Sequence, residues 1–226
     1  MLRIHQLSKT YHQPVLDNIN LQFDAGKVYG IIGKNGAGKT TLFKCIAGIE
    51  DFTGNIESDK ENYKTVLGYL ETETYFPKKL TGYEYIHLLC HARDIKTERK
   101  IIEAKNIFNL PLNEYAGNYS TGMKKKLALV SVLFQNNDIF ILDEPFNGVD
   151  LESNILIIDI IKHLKANHKT VIISSHILST LTDTCDEIIL LENGRVSTPF
   201  LKQDYHLISE KFKDFETGNI LKRFFE

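Results

Sequence analysis

Eight consecutive residues, Gly33-Lys34-Asn35-Gly36-Ala37-Gly38-Lys39-Thr40, carry the strongest chemical signal in the sequence. They fit the pattern G-x-x-x-x-G-K-[ST] of a phosphate-binding loop. Glycines let the backbone turn tightly enough for successive N–H groups to face phosphate oxygens, and a following helix adds its positive dipole end. Lys39 supplies a cation for β- and γ-phosphates, Thr40 a hydroxyl for Mg²⁺, and Thr41 a second hydroxyl within reach of the α-phosphate. A second signal is Asp143-Glu144, two carboxylates that close the apolar run Ile139-Phe140-Ile141-Leu142. Neighbours at a strand end point to opposite sides, so Asp143 suits the Mg²⁺ shell while Glu144 suits orienting or deprotonating an attacking water. His176 follows another apolar run, Thr170 to Ser174. Its imidazole can bridge a γ-phosphate and the loop near Glu144.

These residues cooperate only if several strand ends lie side by side. Alternation at Ile19, Leu21 and Phe23 and the run Val28 to Ile32 predict two strands about an Asp24 to Lys27 turn, the second running into the glycines. Thr40 to Ala47 reads as a helix closed by Gly48. Asp51 to Lys64 is polar and weakly patterned, and Thr65 to Leu70 reads as a strand. From Gly82 to about Leu110 the pattern is helical, with a charged turn from Arg93 to Lys100 and a stop at Pro111. Strand Ile139 to Leu142, a helix from Leu151 with Ile157, Ile160, Ile161 and Leu164 on one face, strand Thr170 to Ser174, helix Ile177 to Cys185 and strand Glu187 to Leu191 follow. Glu192 to Arg195 is a hairpin turn. Strands alternating with helices predict an α/β fold with a mostly parallel sheet, and open sheets of that kind bind ligands beyond the C-terminal ends of their strands.

Composition narrows the classes. The chain has 226 residues, with 27 Lys and Arg against 29 Asp and Glu and a net charge of −2. That balance gives no global footprint for nucleic acid or an anionic membrane, and Lys124-Lys125-Lys126 reads as a solvated helix face. The longest apolar stretches, Leu127 to Phe134 and Ile155 to Ile161, are too short to span a bilayer and read as core helices. The N-terminus shows no secretory leader. Cys45, Cys90 and Cys185 are far apart and lack metal-ligand spacing. A soluble cytoplasmic protein is expected. Asp51-Phe52-Thr53-Gly54 imitates one element of GTPases, but no Asn-Lys-x-Asp guanine reader accompanies it.

Taken together, the motifs resemble the ATP-binding subunits of ABC (ATP-binding cassette) transporters over residues 1 to about 198. The resemblance implies a P-loop NTPase core with a mostly parallel sheet, an antiparallel β subdomain and an inserted helical subdomain. Core would occupy about 1–72 and 119–198, the helical insertion about 73–118, and a C-terminal tail about 199–226. ATP and Mg²⁺ are the implied cofactors. Tyr119-Ser120-Thr121-Gly122-Met123 stands where the family has Leu-Ser-Gly-Gly-Gln; Ser120 and Gly122 match and the other three depart. In the family that element contacts the γ-phosphate of ATP held by the opposite subunit, which implies Ser120, Thr121, Gly122 and Met123 act in trans within a homodimer or heterodimer. Tyr11 resembles the aromatic that stacks on adenine, and Asn147-Gly148-Val149-Asp150 the loop whose Asp150 crosses the interface. The family's metal-side glutamine is replaced by Thr72, or by Glu71 after a one-residue shift. The helical insertion implies a transmembrane permease subunit as partner, with Tyr83, Glu84 and Tyr85 as contacts. The protein would then sit at the inner face of the cell membrane through that partner, with no nucleic acid bound, and overall likeness leans towards exporters. A soluble ABC-type ATPase serving repair, translation or cluster assembly is the alternative.

Overall fold

Apolar residues alternate from the first strand onward, and the computed structural model, which describes residues 1–208, turns that alternation into two sheets. In chain order the elements begin β1 (Leu2–Thr10), β2 (Pro14–Phe23), β3 (Val28–Ile32), α1 (Lys39–Ala47), β4 (Thr53–Ser58), β5 (Leu67–Leu70) and α2 (Gly82–His91). They continue with α3 (Arg99–Ala104), α4 (Thr121–Leu133), β6 (Ile139–Leu142), α5 (Leu151–Ala166), β7 (Thr170–Ser175) and α6 (Leu178–Thr184). Last come β8 (Glu187–Glu192), β9 (Arg195–Val196) and β10 (Phe200–Leu201). One antiparallel sheet has the order β2-β1-β4. The other runs β10-β8-β3-β7-β6-β5, with β9 turned back onto β8 through Asn193-Gly194, both at positive φ as a tight hairpin requires.

The second sheet is the α/β core, and its central pairings are parallel. β3, β6 and β7 are buried at every position, the mark of strands covered on both faces. Tyr29, Ile31, Ile141 and Ile172 pack with Leu42, Phe43 and Ile46 of α1 and with the antiparallel sheet. Alternate residues Ile32, Leu142 and Ile173 pack with Leu127 of α4, Ile157 and Ile161 of α5 and Leu181 of α6. Pairing of Ile32 with Ser175, Leu142 with Ile173 and Leu70 with Leu142 aligns four strand ends along one edge. The chain therefore leaves the sheet at 33, 71, 143 and 176 side by side.

Several boundaries differ from the sequence expectation, each for a local reason. The weakly patterned stretch holds β4, followed by a 3₁₀ turn over Tyr63–Val66, so β5 begins at Leu67 and not at Thr65. Asn62 accepts from Lys64 N and Thr65 donates to Asn62 O, a side-chain turn that outcompetes extension. Arg99 and Lys100 open α3 instead of belonging to the charged turn, and α3 stops at Ala104. Asn106 then bonds both polar groups of Leu110, which keeps residues 105–110 out of a helix. α4 begins at Thr121, ahead of the Leu127 to Phe134 apolar stretch read as a core helix. In the tail, β10 pairs with β8, the Tyr205 hydroxyl donates to Cys185 O at 3.1 Å and Ile208 is buried. Residues 209–226 of that tail lie outside the described residues.

No helix among the described residues is long and apolar enough to cross a membrane, and α4 and α5 are core helices as expected. α2 starts with a reciprocal capping box between Thr81 and Glu84 and packs on α4. At its far end Arg93 donates to Thr65 O at 2.6 Å, Leu67 O at 2.7 Å and Asn137 Oδ1 at 3.1 Å, tying the helical region to the start of β5. Arg93→Ala should therefore cost about 2 kcal/mol and lower Tm by roughly 4–8 °C. Thermal unfolding followed by circular dichroism checks this, and an unchanged Tm would show that the guanidinium adds nothing to the junction.

Candidate nucleotide-binding and hydrolytic site

The phosphate loop leaves β3 and feeds α1, as its spacing predicts. Gly36 and Gly38 sit at φ +82° and +103°, and a Cβ on Gly38 would press on Val15 and Leu16. α1 starts without a side-chain cap and without an acidic residue in its first turn. Its first amides are left for an anion. Lys39 is 7% exposed, and its Nζ donates to Gly33 O at 2.8 Å and Lys34 O at 3.3 Å and lies 3.8 Å from Glu144 Oε1. Burial lowers its pKa from the ordinary lysine value, and Glu144 and Asp143 offset part of that shift.

Asp143 follows β6 and is completely buried. Three hydroxyls from three different segments donate to its carboxylate: Thr40 of α1 and Thr72 beyond β5, each at 2.6 Å to Oδ2, and Ser174 of β7, at 2.5 Å to Oδ1. Such bonds to a carboxylate are the strong, charge-assisted kind. Glu144 adopts φ +49°, a left-handed conformation uncommon for a side chain of its size. Its N–H donates to Ser174 Oγ at 2.8 Å, and its Oε2 lies 2.9 Å from His176 Nδ1. Val15, Asn35, Gly36, Gly38, Lys39, Thr40, Thr41, Thr72, Glu144, Asn147 and His176 line one cleft of about 460 Å³.

The donor set fits a hard divalent cation carried by a phosphate ligand. Asp143, Thr40 and Thr72 offer converging oxygens, and among the described residues no cluster of three or more His, Cys, Asp or Glu could cage a metal alone. Of the two residues expected at the glutamine position, Thr72 lines this cleft. Glu71 instead lines a separate groove of about 300 Å³ with Ile49, Tyr69, Thr74, Tyr85, Leu89 and Arg93.

Other expected site residues lie apart. Tyr11 is half exposed beyond the end of β1; its hydroxyl interacts with Glu50 and Thr41, and Lys9 Nζ lies 4.7 Å from its ring centroid. Ser120 caps α4 by accepting from Met123 N at 3.2 Å. None of Ser120, Thr121, Gly122 and Met123 lines the cleft of Lys39. Gly122 packs against the neighbouring loop, where a Cβ would come within 2.8 Å of Gly148 O. Asp150 caps α5 through Ser153 N at 2.9 Å and pairs with Lys126 at 2.7 Å. Those contacts hold its carboxyl well below the usual range, Lys126 contributing most. Tyr85 is buried against Phe76, Glu84 is engaged in the α2 cap, and Tyr83 is half-buried under Arg99.

The solvated-face reading of Lys124-Lys125-Lys126 is overturned. Lys125 is 6% exposed, and its Nζ donates to Glu71 O and Thr72 O at 3.0 Å and to Asp143 O at 3.1 Å. Burial pushes its pKa down to about 8 against the pull of Asp143 and Glu144. Sequence reasoning missed it because a lysine among lysines on a helix start looks solvated. It also missed Ser174, whose only signal is a hydroxyl ending an otherwise apolar strand.

Comparison with known proteins gives one answer. The family described as "ABC transporter" matches residues 16–147. The manganese transport system ATP-binding protein MntB of Bacillus subtilis is 34% identical over 215 residues, covering 87% of this chain and 85% of that protein. The bacitracin transport ATP-binding protein BcrA of Enterococcus faecalis is 29% identical, covering 97% and 75%. A solved structure described as the ATP-binding subunit of an ABC transporter superposes with a TM-score of 0.79 at 27% identity, covering 94% of this chain and 93% of that one.

Ser174 joins the two carboxylate residues of the site, so Ser174→Ala leaves a part-buried N–H and a buried carboxylate each one partner short. The expected cost is about 1–3 kcal/mol. Urea unfolding measures it; an unchanged midpoint would mean that Asp143 and Glu144 are held without Ser174.

Proposed function

The chain belongs to the ABC transporter family, and we propose on that premise that it binds and hydrolyses ATP to drive transport through a separate transmembrane permease subunit. The observation that carries this reading is the convergence of Lys39, Thr40, Glu144 and His176 on one cleft at the sheet edge, with the buried Asp143 bonded to Thr40 beside it. Lys39, the amides of Gly33 to Thr40 and the start of α1 bind the phosphates, and Thr41 supports the α-phosphate. Tyr11 offers its ring to the adenine, steadied by Glu50 and Thr41. Thr40, Asp143 and Thr72 would hold Mg²⁺, which neutralises developing phosphate charge. Glu144 receives or orients the proton of the attacking water, and His176, bonded to its carboxylate, fixes the direction of that carboxylate.

The phosphate contacts expected of Ser120 to Met123 are missing from the cleft, since none of these residues lines it. A second cassette supplies them in this reading: the α4 N-terminus of each subunit closes on the other's nucleotide, with the Asn147 to Asp150 loop lying between. The groove beside Glu71 is the candidate seat for the permease. Tyr69 and Thr74 line it, and their buried hydroxyls have no hydrogen-bond partner among the described residues, which suits a polar segment entering from outside. That docking would hold the chain at the inner face of the membrane.

Removing the loop cation and removing the water-handling carboxylate should separate binding from turnover. Lys39→Ala is expected to lose ATP binding, whereas Glu144→Gln should bind ATP, lose about 10²- to 10⁴-fold in hydrolysis and sediment as a dimer with ATP. Equal hydrolysis by Glu144→Gln and the unmodified protein would overturn the role of Glu144. A monomer at saturating ATP would overturn self-pairing and point to a different cassette as partner.

A further inference from the structure

Lys125 lies next to the cleft, yet no role above uses it. It sits in the second turn of α4, the helix whose first residues form the proposed trans clasp. An ammonium has three N–H donors. All three are engaged here by backbone carbonyls, those of Glu71, Thr72 and Asp143, and none by a carboxylate. Each carbonyl belongs to a segment that delivers a site residue. The Thr72 hydroxyl bonds Asp143, and the carbonyl of Asp143 is one half of the peptide unit leading to Glu144. The N–H half of that same peptide unit donates to Ser174 Oγ. The unit is therefore gripped at both polar ends, from α4 on one side and from β7 on the other. Such a grip explains how Glu144 stays in the left-handed region, since an uncommon backbone conformation persists only where its surroundings over-determine it.

We propose that Lys125 is a positioning residue, whose buried ammonium holds the Glu71-Thr72 segment and the Asp143-Glu144 peptide at one fixed spacing and ties both to the α4 helix. It thereby sets the metal-side oxygens of Thr72 and Asp143 and the water-side carboxylate of Glu144 relative to one another. Neighbouring lysines do not share the role: Lys124 is half-buried on the same turn, and Lys126 pairs with Asp150. The proposal rests on the ATPase reading for its consequence in turnover, but the spacing it describes also governs metal affinity.

The test compares Lys125→Met, which keeps the stem and loses every donor, with Lys125→Gln, which keeps two donors in a similar volume. Lys125→Met should lower kcat about 10- to 100-fold and raise the Mg²⁺ concentration for half-maximal activity, with Mg²⁺-free ATP affinity unchanged within about twofold. The gain in ATP affinity on adding Mg²⁺, read with a fluorescent ATP analogue and needing no turnover, should shrink in parallel. Lys125→Gln should recover most of the lost kcat. A folded Lys125→Met with unaltered kcat and Mg²⁺ requirement overturns the proposal, as does equal loss in the two variants, which would mean simple filling of space. Where Lys125→Met fails to fold, Lys125→Gln decides: its half-saturating Mg²⁺ should rise at least about twofold, and an unchanged value overturns the proposal. An unmodified protein that binds ATP with Mg²⁺ but never hydrolyses it would sink the ATPase reading instead, while the affinity readout would still decide Lys125.

Discussion

A carboxylate with no exposed surface has to be paired, and Asp143 is paired by hydroxyls that arrive from three separate stretches of chain. Burying an ionised group without partners costs far more than a domain's whole margin of stability. The need to satisfy Asp143 therefore ties α1, the segment after β5 and the end of β7 to the end of β6. Those four places are where the phosphate loop, Thr72, Ser174 and Glu144 lie. The parallel sheet brings the strand ends side by side, and the bonds to Asp143 join them.

Much of this was legible in the sequence because the relevant signals are local. A strand that runs into glycines and then into a helix needs no distant information, and neither does an apolar run ending in two acids. The assignment of α/β architecture followed from alternation alone, and the central strands lie where their apolar runs place them. What escaped were features decided by competition or by distance. Asn62 and Asn106 redirect their own backbones through side-chain bonds that no hydrophobic pattern records. β1 and β4 make a sheet by pairing with strands some 50 residues away in sequence, as Leu2 with Ser58. Lys125 is invisible for a related reason. Its three acceptors are backbone carbonyls, which every residue possesses, so no residue type marks them.

If Thr72 takes the glutamine position, as the proposed metal site has it, the structure offers a way to absorb that departure from the family pattern. A glutamine amide is long enough to reach across a cleft, whereas a threonine hydroxyl must be brought close. Here it is close: Thr72 donates to Asp143 at 2.6 Å while its own carbonyl is drawn towards Lys125 at 3.0 Å. The short side chain thus reaches Asp143 while a buried cation holds its backbone.

The helix that carries Lys125 has a free end with consequences for the cell. Ser120 and Thr121 face solvent and do not line the chain's own cleft. Under the proposed pairing, a solitary subunit is half an engine, and its rate of ATP consumption rises with the square of its concentration while pairs are scarce. On the same reading, copies that drift free of a permease would be dilute and idle. Copies gathered on one are held next to each other at a high effective concentration. In that reading fuel use is confined to assembled transporters, because the part of each cleft that the partner supplies is itself the safety catch.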